Sequence, residues 1–156
     1  MSLENITEVV SVECSKEWFD SMHKYSLIKS NKKTGRLSFL YEDIGDAGKW
    51  AMPKEFSRKK WINYSSGIFE KYPNFKPDTI LIDGRFRVAC TLMSLIKFKE
   101  ATIIIHDFWT RPHYHVLLEY LGLLQKVDDI GVFKAKKEIS SVALIADYEA
   151  FKYNHL

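Results

Sequence analysis

The chain holds only two cysteines, Cys14 and Cys90, and they fall in no metal-ligand spacing. A zinc ribbon or a disulfide scaffold is thereby excluded as the organising principle, and reduced thiols fit a cytoplasmic setting. No apolar run is long enough to span a bilayer. The N-terminus lacks the basic stretch and apolar run of a secretory signal, so the sequons at Asn5 and Asn63 read as chance matches. Glycines number seven and none precedes Gly35. No repeat, low-complexity segment or internal linker is visible. Charge of neither sign dominates, with a formal net charge of +3. The basic runs at Lys32-Lys33, Arg58-Lys59-Lys60 and Lys134 to Lys137 are short. They read as solvated surface, because a nucleic-acid interface needs a larger footprint. Neither nucleic acid nor membrane is expected as a partner.

What is present is a globular pattern: 156 residues, 46% of them hydrophobic and 14% aromatic, enough for one domain with a buried core. Residues 1–3 (Met-Ser-Leu) read as a vector-derived scar. Strands are expected at Glu8–Glu13 and Leu37–Tyr41. Between them lie a helix from the Ser15 cap to about Ser26 and a polar turn at Asn31–Gly35. A loop follows over Asp43–Pro53, then a helix from about Glu55 to Tyr72, closed by Pro73 and Pro77. Thr79–Asp83 and Thr102–Asp107 are continuous apolar strands of the kind found in parallel sheets, flanking an apolar helix over Phe86–Phe98. Pro112 starts a helix to about Leu121, Gly131–Ala135 is a weaker strand, and Ser140–Tyr153 is a terminal helix. Strands alternating with helices at this spacing predict an α/β fold, a Rossmann-like, mostly parallel sheet with helices on both faces.

Four of these strands end in a carboxylate: Glu13, Asp43, Asp83 and Asp107. In an open parallel sheet ligands bind beyond the carboxyl ends of the strands, which would place the four acids around one cleft. Such acids can accept hydrogen bonds from ribose hydroxyls or an amino group, or hold a divalent cation. The alternative for each is a helix N-cap on the surface.

The most specific words are Ile82-Asp83-Gly84-Arg85-Phe86-Arg87 and Ile105-His106-Asp107-Phe108. Together with Val10-Ser11-Val12-Glu13 and Leu40-Tyr41-Glu42-Asp43-Ile44-Gly45, they resemble the class I S-adenosylmethionine-dependent methyltransferases. The likeness is to a bacterial group with the Asp-Gly-Arg-Phe-Arg signature, and it runs from about Val9 to Lys134 with the order of elements kept. It implies S-adenosylmethionine as cofactor, held at Glu13, Asp43 and Ile44, and a small-molecule acceptor, a sugar or polyol hydroxyl. The catalytic residues would be Asp83, His106 and Asp107. Arg85, Arg87 and Arg111 would bind a phosphate or carboxylate of the substrate. The family's first strand and glycine-rich loop are expected ahead of Val9 and are missing, so the cofactor half reads as incomplete. The chain is then a fragment, or a degenerate domain, or one in which Glu8–Glu13 takes the central place. The reading that competes with an enzyme is a binding or assembly module that keeps the fold without catalysis, with a homodimer or heteromer covering the exposed strand edges.

Each residue also has a plainer role. Asp83 serves equally as a helix N-cap. With Asp107 it could hold magnesium, but Phe108 stands where an amide ligand is usual, so no metal is assigned. His106 is either a general base or a cap on a buried strand end. Arg85 and Arg87 bind substrate or pair with Asp83 and Asp107 and hold the turn. His113 and His115 are two apart, a spacing unsuited to a zinc pair on a helix. Trp50 and Trp109 would wall a pocket or merely pack. Cys90 belongs to the core of its helix.

Overall fold

A computed structural model describes residues 6–156. Residues 1–3 and the Asn5 sequon lie outside the described residues. The chain gathers into two compact units, one ending at Lys60 and one beginning at Trp61.

The first unit is built on two parallel strands, β1 (Val9–Glu13) and β2 (Leu37–Tyr41), paired from Val9↔Leu37 to Glu13↔Tyr41. Parallel neighbours need a crossover, and here two short helices supply it. In α1 (Lys16–Met22) the Ser15 hydroxyl accepts from the Trp18 N–H, a standard N-cap. The chain then breaks at His23–Tyr25 and restarts as α2 (Ser26–Lys33), where a single helix and a polar turn were expected. The break is closed by Lys24 N–H on Ser21 C=O and Tyr25 N–H on Met22 C=O. The polar second helix is steadied by Ser30 and Asn31 side chains bonding back to the Leu27 carbonyl, and by Lys32 and Lys33 at its negative end. It carries no apolar stripe, so periodicity could not reveal it. Ile44 is fully buried at the head of the following loop.

Helix α3 (Arg58–Lys71) leads into the second unit. There a four-stranded sheet has the order β3-β4-β6-β5. Strands β3 (Thr79–Ile82) and β4 (Thr102–Ile105) are parallel, joined through α4 (Arg87–Lys97). The hairpin β5 (Leu121–Val127) and β6 (Ile130–Ala135) is added antiparallel, β6 against β4. The parallel, crossover-linked pairs expected of an α/β fold are thus present. Strand β5 is a correction: the helix from Pro112 ends as a 3-10 helix at Glu119, and Leu121 opens a strand. As an edge strand, β5 is exposed from Leu123 to Val127 and shows no buried alternation. Its turn is Asp128-Asp129, with Asp128 in the left-handed region at φ 51°, a conformation that short acids tolerate.

The core of this unit gathers Phe86, Leu92, Leu95, Ile103, Ile105, Phe108, Tyr114, Leu117, Phe133 and Leu144, all nearly inaccessible. Helix α4 buries Val88, Ala89, Thr91, Leu92 and Leu95, a wide apolar face set by helical spacing, and packs against α5 (Ser141–Phe151). Among the described residues no helix is long and apolar enough to cross a membrane.

Candidate functional site

Register makes the site. Ile82 and Ile105 are partners across the β3–β4 ladder, and the His106 N–H still donates to the Ile82 carbonyl at 3.1 Å. The residues just past the two strand ends, Asp83 and His106, therefore stand side by side. His106 Nδ1 lies 2.8 Å from Asp83 Oδ1 and 3.3 Å from Asp107 Oδ1. Asp107 adopts φ 56°, which turns the chain so that its carboxylate stays beside the histidine instead of continuing along the strand.

Two arginines hold Asp107. Its Oδ2 is 3.1 Å from Arg87 Nη1 and 2.8 Å from Arg111 Nη2. Burial pushes this carboxyl up, but the nearby charges of Arg87, His106 and Arg111 outweigh it and hold the group below the usual carboxylate range. Tyr114 lies under both guanidinium groups, 5.7 Å from that of Arg87 and 5.8 Å from that of Arg111. Arg87 is buried, Arg111 half-buried. Arg85 is half-buried as well, and its carbonyl accepts from the Cys90 thiol at 3.7 Å.

Two members of this cluster escaped the sequence. Asp129, on the β5–β6 turn, places Oδ1 3.9 Å from His106 Nε2, and its carbonyl accepts from the Phe108 N–H. Tyr114 is the other. The acidic pair Asp128-Asp129 could have been read as a turn, but nothing in it points to His106. Nothing in the sequence marks Tyr114. Gly84 is tied to the site by steric fit: a Cβ there would meet the Tyr64 hydroxyl at 2.1 Å.

In the first unit the acids behave differently. Glu13 Oε1 accepts from the Ser15 N–H at 2.6 Å and so caps the turn into α1. Asp43 accepts from the Gly45 N–H and pairs with Lys60 at 2.7 Å. The Lys60 bond, then the Gly45 N–H, hold its carboxyl below the ordinary range. Ile44 has no exposed side chain and offers only backbone. His113 and His115 do not converge: His115 Nε2 is 3.2 Å from the Phe108 carbonyl, while His113 stacks edge-on against Tyr114. Burial, then Arg111 and His115, lower the His113 pKa. Trp50 is exposed, and Trp109 packs on Phe108 and donates to the Ile130 carbonyl.

Could these groups hold a metal? His106, Asp107 and Asp129 offer three ligand atoms within 4.8 Å of one another. Magnesium, however, demands oxygen ligands in a near-octahedral shell. Asp107 already serves two guanidinium groups, whose positive charge opposes a dication. The cluster does not fit magnesium. For a nucleoside cofactor the donors fit in part. Glu13 is a half-buried carboxylate at a strand end, and a Cβ at Gly45 (φ +93°) would meet no atom within 4 Å, so backbone there can be approached closely.

No protein-family model matches the chain, and no curated protein matches it. Among solved structures it is similar to a methyltransferase-like protein from Silicibacter pomeroyi, with a TM-score of 0.75 and 22% identity. The match covers 94% of this chain and 76% of that one. The fold is therefore methyltransferase-like.

Proposed function

We propose that the chain is an S-adenosylmethionine-dependent methyltransferase of small-molecule hydroxyls, a sugar or polyol, and that Asp83, His106 and Asp107 form its acceptor side. The observation that carries this reading is the Asp83–His106 pair at the carboxyl ends of two adjacent parallel strands, where α/β folds place ligands. Asp83, bonded to Nδ1, fixes the ring with the proton on that nitrogen and leaves the Nε2 lone pair for the acceptor hydroxyl. This is the orienting logic of any carboxylate–histidine base. Nε2 then takes the hydroxyl proton as the oxygen attacks. Methyl transfer asks for little else than alignment of the attacking oxygen.

Arg85 and Arg111 give the acceptor side its cationic character and suit a substrate with a phosphate or carboxylate. On the cofactor side, Glu13 would accept from ribose hydroxyls, and the backbone around Ile44, in the loop Asp43 steadies, would meet the base. When bound, the cofactor would supply the electrophilic methyl group, its carbon–sulfur bond breaking to leave the neutral thioether as the oxygen–carbon bond forms. The test is transfer of radiolabelled methyl from S-adenosylmethionine to a panel of sugars, polyols and their phosphates. Transfer that His106→Ala and Asp83→Asn each reduce by about a hundredfold or more, the usual contribution of a general base, supports the reading. Transfer untouched by both variants overturns it.

A further inference from the structure

Arg87 is a full positive charge left only 3% exposed, on the first turn of α4. A guanidinium cannot shed its proton to escape burial, so each of its donors needs an acceptor. All three nitrogens find one. Nε donates to the Gly84 carbonyl at 2.9 Å. Nη1 donates to the His106 carbonyl and faces Asp107 Oδ2 at 3.1 Å. Nη2 lies 3.4 Å from both the Asp83 carbonyl and Asp83 Oδ1. The Tyr114 ring lies against the guanidinium.

These acceptors come from two places only, the turn after β3 and the turn after β4. Both turns contain a non-glycine residue in the left-handed region, Phe86 at φ 55° and Asp107 at φ 56°. Such conformations cost free energy and persist only where surrounding bonds over-determine them. We infer that Arg87 is a positioning residue: its guanidinium clamps the two turns together and thereby sets the Asp83–His106 pair, and it does not bind substrate. A lysine has one nitrogen on a flexible stem and cannot span both turns. The clamp owes its functional meaning to the acceptor-side reading above; its geometry stands without that reading.

The test uses the full chain and nuclear magnetic resonance of the histidine and arginine side-chain nitrogens. In the wild type, neutral His106 carries its proton on Nδ1, and Arg87 shows separate, slowly averaging Nη signals with a protected Nε–H. Arg87→Lys, with its fold checked by circular dichroism, shifts the His106 tautomer ratio toward Nε2–H by about fivefold or more, the loss of one hydrogen bond's worth of preference. A folded Arg87→Lys with an unchanged ratio overturns the inference. If that variant does not fold, the wild-type spectrum decides: freely rotating Arg87 Nη groups and a rapidly exchanging Nε–H overturn it as well. Cofactor binding, followed in parallel by melting temperature, separates the two proposals. A clamp without cofactor binding leaves this inference standing and removes the function reading; binding with an unmoved tautomer does the reverse.

Discussion

The two parallel strand pairs of this protein begin alike and end differently. Both β1–β2 and β3–β4 are short apolar ladders whose strands run out into acids. After β1 and β2, Glu13 bonds the backbone of its own turn, while Asp43 takes a loop N–H and an exposed lysine. After β3 and β4, Asp83 and Asp107 both turn onto His106 and a buried arginine. The difference is the cation. A carboxylate at a strand end meets backbone donors first and becomes a cap. Where a buried guanidinium needs several acceptors, it draws neighbouring turns together and their acids become one cluster.

The sharpest way to break this contrast is to remove the cation. Arg87→Met leaves Asp107 and three carbonyls short of donors, and is expected to destabilise the second unit by about 3 kcal/mol, as breaking a buried pair from one side does. Chemical unfolding followed by the aromatic signal of that unit reads the loss. A change near zero would mean that the cluster assembles without the arginine.

Asp107→Asn comes next, at about 2 kcal/mol near neutral pH for a charge-assisted partner lost. Because the folded pKa of Asp107 is depressed, its contribution is present above the unfolded value, near 4, and disappears as pH falls through the folded one. Wild-type melting temperatures should fall over this acid range with a slope that Asp107→Asn reduces. Equal slopes in the two proteins would contradict the assignment.

Gly84→Ala tests whether the turn after β3 is rigid. The obstacle is steric, the Tyr64 hydroxyl at 2.1 Å from the new carbon, and about 1–2 kcal/mol is expected for overpacking of this kind. Tyr64→Phe in the same chain should recover part of it, since the next ring atom would lie at 3.3 Å. No recovery would place the strain in the backbone. The smallest effect belongs to the first unit. Lys60→Gln removes an exposed partner of Asp43, and the melting temperature should not move measurably. A clear drop would show that the exposed pair after β2 stabilises the fold as the buried cluster does.

The sequence disclosed much of this, for identifiable reasons. Strand β2 was legible residue for residue, and β3, β4, α4 and α5 to within one or two at each end, because apolar runs and caps mark them. Helix α2 was hidden because its two apolar residues, Leu27 and Ile28, are adjacent and form no stripe at helical spacing, and β5 because an exposed edge strand has no alternation to read. Asp83 and His106 were predictable neighbours once β3 and β4 were taken as parallel, since in-register strands bring their next residues together. That Arg87 is buried, that Tyr114 lies against two arginines, and that Asp129 approaches His106 all depend on long-range packing. Single-residue patterns do not encode it.

Binding of S-adenosylmethionine by this methyltransferase-like fold is the proposal on which the rest of the proposed function depends. The most direct test is the melting temperature of the full chain with increasing cofactor, with S-adenosylhomocysteine as a second ligand. Both should raise it in a saturable way, as ligands specific to the folded state do, with about 2.7 kcal/mol gained at a hundred times the dissociation constant. A melting temperature that stays fixed up to millimolar cofactor would mean that this chain does not bind it.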